Sequence, residues 1–139
     1  MQDLSIETHM QHGRWEEAEH ACNAALQVQP TSAKLHAYLG ICNFRRGCFE
    51  KAVESFKRAT LLDPNFVDAG VKLAQSYDRL QRYEEAYATA EEWLRVRPSD
   101  RTLQGLVHGL QYHVRGNRTD GWERTAKHAH RIVLASDGE

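Results

Sequence analysis

The stretch "GCFEKAVESFKRATLLDP", residues 47–64, decides the fold of this 139-residue chain. It opens with a glycine and closes with a proline, and its large and small residues follow the spacing i, i+3, i+7, i+10. That spacing places them on one face of an α-helix. A neighbouring helix can approach closely at the small residues while the aromatic rings fill the remaining space. The residues on this face are Phe49, Ala52, Phe56 and Ala59.

The three prolines of the chain indicate that this stretch is one copy of a repeat. Pro30, Pro64 and Pro98 are separated by 34 residues each. A fixed period of this length is the sequence signature of repeat architectures. The same offset aligns two further sets of residues with the helical face described above. These sets are Trp15, Ala18, Cys22 and Ala25, and then Tyr83, Ala86, Ala90 and Trp93.

A first helix is predicted upstream of each of these second helices. Leu35, Leu39 and Cys42 recur at helical spacing, and Gly47 ends that helix as a C′ residue would. In the next copy Gln81 stands where Gly47 stood. The prolines end the second helices and turn the chain into the next pair. The repeating unit is therefore helix–turn–helix.

These residues resemble the tetratricopeptide repeat (TPR) family, whose 34-residue pattern carries Leu-Gly, aromatic residues, alanines and a closing proline at fixed places. The second repeat, residues 31–64, supplies most of this pattern. It has Asn43 in place of an aromatic residue and His36 in place of the opening large residue. In the third repeat, residues 65–98, the large residue of the second helix moves to Trp93, which roughly conserves volume.

The resemblance implies an all-α, right-handed α-solenoid of stacked antiparallel helical hairpins in a single domain, residues 1–139. Residues 1–30 form a partial first repeat, whose short first helix puts Ser5 and His9 at packing positions. Residues 99–135 are predicted to form a degenerate fourth hairpin that caps the stack. The alternative is a single capping helix followed by a loose tail. The two predicted stripes of this hairpin are Leu103, Leu106, Val107, Leu110 and Val114, then Trp122, Thr125, Ala129 and Ile132.

Composition argues against several classes of function. The net charge is −1 and the pI is about 6.7, without the basic stripe that nucleic-acid binders carry. No apolar run approaches the roughly 20 residues that span a membrane, and the N-terminus lacks the pattern of a signal peptide. The three cysteines follow no paired spacing. They therefore favour reduced thiols and a cytoplasmic location.

No catalytic or metal-binding constellation stands out in the sequence. His128 and His130 are at i and i+2, which point to different faces of a helix, whereas a chelating pair is spaced i, i+4. Cys42 and Cys48 lie near arginines but are interpreted as small buried residues. The sequence therefore predicts a protein that is not an enzyme and that needs neither cofactor nor metal.

The resemblance also implies a concave groove, lined by the first helices, that binds peptides or helices. Tyr38, Ile41 and Phe44 lie at i, i+3 and i+6 and are expected to form a connected apolar strip bordered by cations. Such a strip suits an amphipathic partner segment with apolar anchors and some acidic residues. A second copy of the chain packing on the same strip is the alternative. The expected groove residues are Lys34, Tyr38, Ile41, Phe44, Arg45, Lys72, Gln75, Arg79 and Tyr112.

Three functions are compatible with this reading. The leading one is a cytoplasmic interaction module or scaffold, followed by a small TPR-type chaperone of a secretion or assembly system and by a fragment of a longer TPR array. The clamp with which the best-known TPR subclass holds a chaperone's C-terminal carboxylate is absent, which disfavours a heat-shock co-chaperone role. The positions that match this clamp carry Asp3, Glu7, Tyr38, Asp68 and Lys72.

Overall fold

The computed structural model describes residues 2–114, and these residues form helices joined by short turns, without a strand. Each helix packs against the next along the chain, so that antiparallel hairpins stack on one another. The predicted all-α solenoid of helical hairpins is confirmed. The helices are α1 (Gln2–Gln11), α2 (Trp15–Val28), α3 (Ala33–Arg45), α4 (Phe49–Leu62), α5 (Val67–Arg79), α6 (Tyr83–Val96) and α7, which is helical over 101–114.

The core of the second repeat is built around the ring of Phe56 on α4, which is fully buried. A Cβ atom added to Gly40 of α3 would come within 2.7 Å of that ring, so only glycine leaves enough space. In the third repeat the large residue is Trp93, and the glycine beneath its ring is Gly70. The position equivalent to Gly40 holds Ala74. The large residue and its glycine have therefore moved together, which preserves close packing between the paired helices.

The turns inside the hairpins share one backbone conformation. Gly13, Gly47 and Gln81, each 34 residues apart, have φ angles of 72°, 81° and 62°. In each turn the following N–H group bonds to the carbonyl five residues upstream, as in a Schellman motif. Glycine adopts this left-handed conformation without steric cost, whereas Gln81 pays for its Cβ atom. Gly47 is thus confirmed as the C′ residue of α3.

The first helices begin in two different ways. The Ser32 side chain accepts a hydrogen bond from the Leu35 N–H group at 3.2 Å, and the Asp100 side chain accepts one from Leu103 at 3.0 Å. These caps satisfy an N–H group that the helix itself leaves unpaired. The equivalent position in the middle repeat is Phe66, which provides no side-chain cap to α5. The middle repeat therefore presents an apolar group where its neighbours present an oxygen.

A second local hydrogen bond is also missing from the middle repeat. The ring of His36 bonds to the Pro30 carbonyl at 3.0 Å, and the Gln104 amide bonds to the Pro98 carbonyl at 2.8 Å. These two residues are two repeats apart and hold the turn before their helices in the same way. The residue between them in the repeat is Gly70, which has no side chain to offer. The TPR pattern has a large residue at this position. Here His36 and Gln104 occupy it and stabilise the preceding turn by hydrogen bonding.

The first repeat corrects one prediction. Helix α1 packs through Ile6 and Met10, at i and i+4, whereas Ser5 lies off this face. Ile6 is fully buried, Ser5 is exposed, and His9 is half-buried with a ring nitrogen that has no hydrogen-bond partner among the described residues. Burial of the apolar Ile6 is more favourable than burial of the polar Ser5, which explains why Ile6 faces the core. The neighbours of Ile6 and Met10 include Cys22, Ala25 and Leu35.

Helix α7 covers the end of the third repeat. Leu103, Leu110 and Val114 are buried, and Leu103 packs in one cluster with Trp93 and Val67. Leu106 and Val107, the other residues of the stripe predicted for the first helix of the fourth hairpin, are half-buried. The second helix of that hairpin, from Trp122 to Ile132, and the histidines 128 and 130 lie outside the described residues. None of the described helices is both long and apolar enough to cross a membrane.

Candidate functional site

The first helices α3 and α5, together with the start of α7, surround an open cavity of about 490 Å³. This volume falls in the range of clefts that bind small ligands or large side chains. We call it the first-helix cavity. Its apolar wall is formed by Ala37, Ile41, Phe56, Phe66, Ala69 and Val71, and its polar rim by Tyr38, Asp68, Lys72, Gln75, Asp100 and Thr102.

Four of the nine expected groove residues line this cavity: Tyr38, Ile41, Lys72 and Gln75. The Tyr38 hydroxyl donates a hydrogen bond to the carboxylate of Glu7 on α1, which fixes the phenol ring at the rim. Lys34, also among the nine, does not line the cavity, but its ammonium group lies 5.5 Å from the centre of the Tyr38 ring. Lys34 therefore adds positive charge beside the rim.

Phe44 does not line the cavity, although it packs against the same core cluster as Ile41. Its ring packs edge-to-face against Phe49, with the ring centres 5.2 Å apart. The Lys72 ammonium and the Arg79 guanidinium lie 5.6 Å and 5.5 Å from the centre of the Phe44 ring. Both distances are within the reach of cation–π attraction. The structure therefore divides the expected strip, with Ile41 in the cavity and Phe44 beneath two cations.

The remaining expected residues are further from the cavity. The Arg45 guanidinium lies 4.8 Å from the centre of the Trp15 ring and so stabilises the first repeat. Tyr112 on α7 is 86% exposed. Its neighbour His113 stacks on Tyr83 with the ring centres 4.0 Å apart. Neither Arg45 nor Tyr112 lines the cavity.

Phe66 is the largest partly exposed wall residue among those that the expected groove residues did not include. It lies at the capping position of α5, aligned with Ser32 and Asp100, and it packs against the core while lining the cavity. An aromatic residue at a position where both neighbouring repeats carry a capping oxygen was the available signal. Comparison of the repeats at that position could have identified it.

Charge is separated along the first-helix cavity. Asp68 and Asp100 line the end at which α5 and α7 begin, and Lys72 follows one turn along α5. Within residues 2–114, Lys72 and Arg79 form no ion pair with a carboxylate. Arg82, by contrast, donates two hydrogen bonds to Glu85 at 2.6 and 2.7 Å. Among residues 2–114, no carboxylate therefore neutralises the two cations over Phe44.

Two of the three cysteines are buried in the packed helices. Cys22 and Cys42 are buried and Cys48 is half-buried, and none of the three forms a disulfide bond with another described residue. A hydrogen bond from Cys22 lowers the pKa of the Cys42 thiol, but both side chains are closed off from solvent. The described residues contain no group of three or more His, Cys, Asp or Glu side chains that could hold a metal ion.

Two family models, both described as tetratricopeptide repeat, match residues 6–66 and 44–108 of the chain. Over 82 residues, or 59% of its length, the chain is 33% identical to the peroxisomal targeting signal receptor of Yarrowia lipolytica. The match spans only 14% of that receptor.

Solved structures with a similar fold include two TPR domains. The first TPR domain of Spaghetti (RPAP3), bound to the HSP90 peptide SRMEEVD, has a TM-score of 0.78 and 18% identity, covering 81% of this chain and 90% of that one. The Arabidopsis OM64 TPR domain has a TM-score of 0.74 and 21% identity, covering 78% and 89%. At these identities the similarity shows the fold alone.

Proposed function

Because the chain belongs to the tetratricopeptide repeat family, we propose that it is a protein–protein interaction module that binds an amphipathic partner segment in the first-helix cavity. One observation carries the proposal: an open apolar cavity of about 490 Å³ lies beside two cations that no carboxylate of the described residues neutralises. An apolar side chain of the partner fills the cavity. An acidic residue of the same segment approaches Lys72 and Arg79.

The apolar wall provides most of the binding free energy. Ile41, Phe66 and Val71 are half-buried, so each has apolar surface left for a ligand to cover. Full burial of a large apolar side chain contributes about 1.5–3 kcal/mol. Anchors of this kind usually dominate the affinity of an interface, while the surrounding contacts exclude water.

The cations over Phe44 provide orientation and selectivity. Contact with the aromatic ring restricts both long side chains before a ligand arrives, so less conformational entropy is lost on binding. The HSP90 peptide bound by the Spaghetti domain, SRMEEVD, is acidic, which supports an acidic preference on this fold. Glu7 and Asp68 replace residues of the chaperone clamp. The acidic group recognised is therefore proposed to be a side chain rather than a C-terminal carboxylate.

We further propose a reducing, cytoplasm-like compartment for this activity. Cys22, Cys42 and Cys48 form no disulfide bond among the described residues, which supports it because secreted proteins usually oxidise their cysteines.

Affinity capture from native lysate, followed by titration of the captured segment, tests the proposed function. Lys72→Glu with Arg79→Glu is expected to weaken binding at least about tenfold, because each reversal replaces attraction by repulsion. Arg95→Glu with Arg97→Glu is the matched control, since both arginines are exposed and lie outside the cavity. Equal affinities for the wild type and the Lys72 and Arg79 variant would rule out this site.

A further inference from the structure

A second groove lies on the opposite side of the stack, between the second helices α4 and α6. It has a volume of about 330 Å³, and Leu73 and Tyr77 of α5 form its floor. We call it the second-helix groove. Helices α4 and α6 and the turn after α4 form the rest of its lining. These residues are Lys57, Thr60, Leu61, Pro64, Thr89, Glu92, Trp93 and Val96.

Two apolar side chains are exposed at this groove, one on each side. Leu61 is 74% exposed and Val96 is 48% exposed. Leu61 occupies an exposed position where the other two repeats carry Gln27 and Arg95, so an apolar side chain there does not follow from the repeat pattern. Covering such surface contributes about 25 cal/mol per Å². The groove therefore has the exposed apolar groups of an interface.

The charges at the groove are arranged in a self-complementary way. Lys57 precedes Leu61 by four residues on α4, and Glu92 precedes Val96 by four residues on α6. On each helix the charged and the apolar side chain therefore share a face, one turn apart. The two helices are equivalent elements of successive hairpins and run in the same direction. Their charges are opposite, and neither Lys57 nor Glu92 forms an ion pair within residues 2–114.

A two-fold axis along the groove satisfies this pattern twice. Rotation about such an axis places α4 of one copy opposite α6 of the other, and in the 34-residue register Lys57 and Leu61 align to within one residue of Glu92 and Val96. Lys57 then faces Glu92 of the second copy, and Leu61 faces Val96 of the second copy. The same two contacts recur on the other side of the axis, as an isologous interface requires. A ligand of a single charge would instead meet one attractive and one repulsive side chain.

We propose that the second-helix groove is the interface of a symmetric homodimer of this chain. In this arrangement the first-helix cavities of the two copies face away from the interface, and both remain open to partner segments. The dimer is then a bivalent scaffold, whose avidity for a multivalent partner exceeds the affinity of either cavity. The proposal stands on a different surface from the proposed partner site and does not depend on it.

Sedimentation equilibrium of the full chain over a range of concentrations tests the dimer. The average mass of the wild type is expected to rise from 15.9 kDa toward twice that value, with a dissociation constant on the order of 10–100 μM for so small an interface. Leu61→Glu is expected to weaken the dimer more than about tenfold, because it buries a charge among apolar groups. Val28→Glu is the matched control, since Val28 is 72% exposed but lies outside the groove.

A charge exchange tests the two-fold pairing itself. Lys57→Glu alone and Glu92→Lys alone are each expected to weaken the dimer about tenfold, because like charges then face each other. The double variant is expected to return to within about threefold of the wild type, since the pairs re-form with their signs reversed. All the replaced side chains are exposed, and circular dichroism verifies the fold of each variant.

Three results would overturn the proposal. The first is a wild-type mass that does not change with concentration, which would leave the groove to a different occupant. The second is an equal loss of mass in the Val28 and Leu61 variants. The third is a double charge variant that dimerises no better than the two single variants.

Discussion

Gly70 carries the most demanding packing constraint at the scale of single residues, because a side chain there would overlap the ring of Trp93. Gly70→Ala is expected to lower the free energy of unfolding by about 1–3 kcal/mol, since overpacking outweighs the better helix propensity of alanine. Gly109→Ala on α7 is the control, because no atom lies within 4 Å of the added Cβ. The free energy of unfolding of the Gly109→Ala variant should rise by up to about 1 kcal/mol. Urea unfolding measures both, and equal changes would contradict the predicted contact.

Gln81 provides a second prediction at this scale. Its φ angle of 62° is the left-handed conformation that Gly13 and Gly47 adopt in the other two turns. Gln81→Gly is expected to raise the free energy of unfolding by about 1 kcal/mol, because the strain on the Cβ atom disappears. Gly47→Ala should lower it by a similar amount. Thermal unfolding of the two variants should therefore shift in opposite directions, and a shared direction would argue against the strain.

Among the helices, α5 begins with Phe66 where α3 and α7 begin with a capping oxygen. Phe66 also lines the first-helix cavity, so the same residue affects both helix stability and partner binding. Phe66→Ser is expected to restore a cap like that of Ser32, which raises the free energy of unfolding by about 1 kcal/mol. The loss of apolar burial lowers the free energy of unfolding by a similar amount. Unfolding free energy should therefore change by less than about 1 kcal/mol. Partner affinity should nevertheless fall at least about tenfold, because the cavity loses its aromatic wall. Unchanged affinity would show that Phe66 is not part of the site.

The elements themselves could be predicted from the sequence, whereas the site could be predicted only in part. A repeated apolar face must be buried whatever its partner, so the 34-residue period placed α2, α4 and α6 correctly. On helix α1 the transferred family register pointed to Ser5, which is exposed, whereas the adjacent Ile6 is fully buried. The volume of the first-helix cavity depends on the space that the packed side chains leave empty. The cation–π contacts over Phe44 depend on the side-chain conformations of Lys72 and Arg79. The 34-residue period predicts neither the cavity nor these contacts, because it specifies which residues are buried and not the shape of the space between them.

At the scale of the whole molecule, the net charge of −1 gives the chain no strong overall attraction for an acidic partner. Any electrostatic acceleration of binding must then come from the local pair Lys72 and Arg79. Salt screens such an exposed field, whose range falls from about 10 Å at 0.1 M to about 3 Å at 1 M. The association rate of the partner segment is therefore expected to fall several-fold between these concentrations, with a smaller change in the dissociation rate.

Stopped-flow measurement of both rates at the two salt concentrations checks this last prediction. The Lys72→Glu, Arg79→Glu variant should associate slowly and lose the decrease with salt, because its local field no longer attracts an acidic segment. The Arg95→Glu, Arg97→Glu variant has the same net charge as that variant, so it separates local from overall electrostatics. Its association rate should keep the salt dependence of the wild type. If both variants responded to salt alike, net charge rather than the cations over Phe44 would govern the encounter.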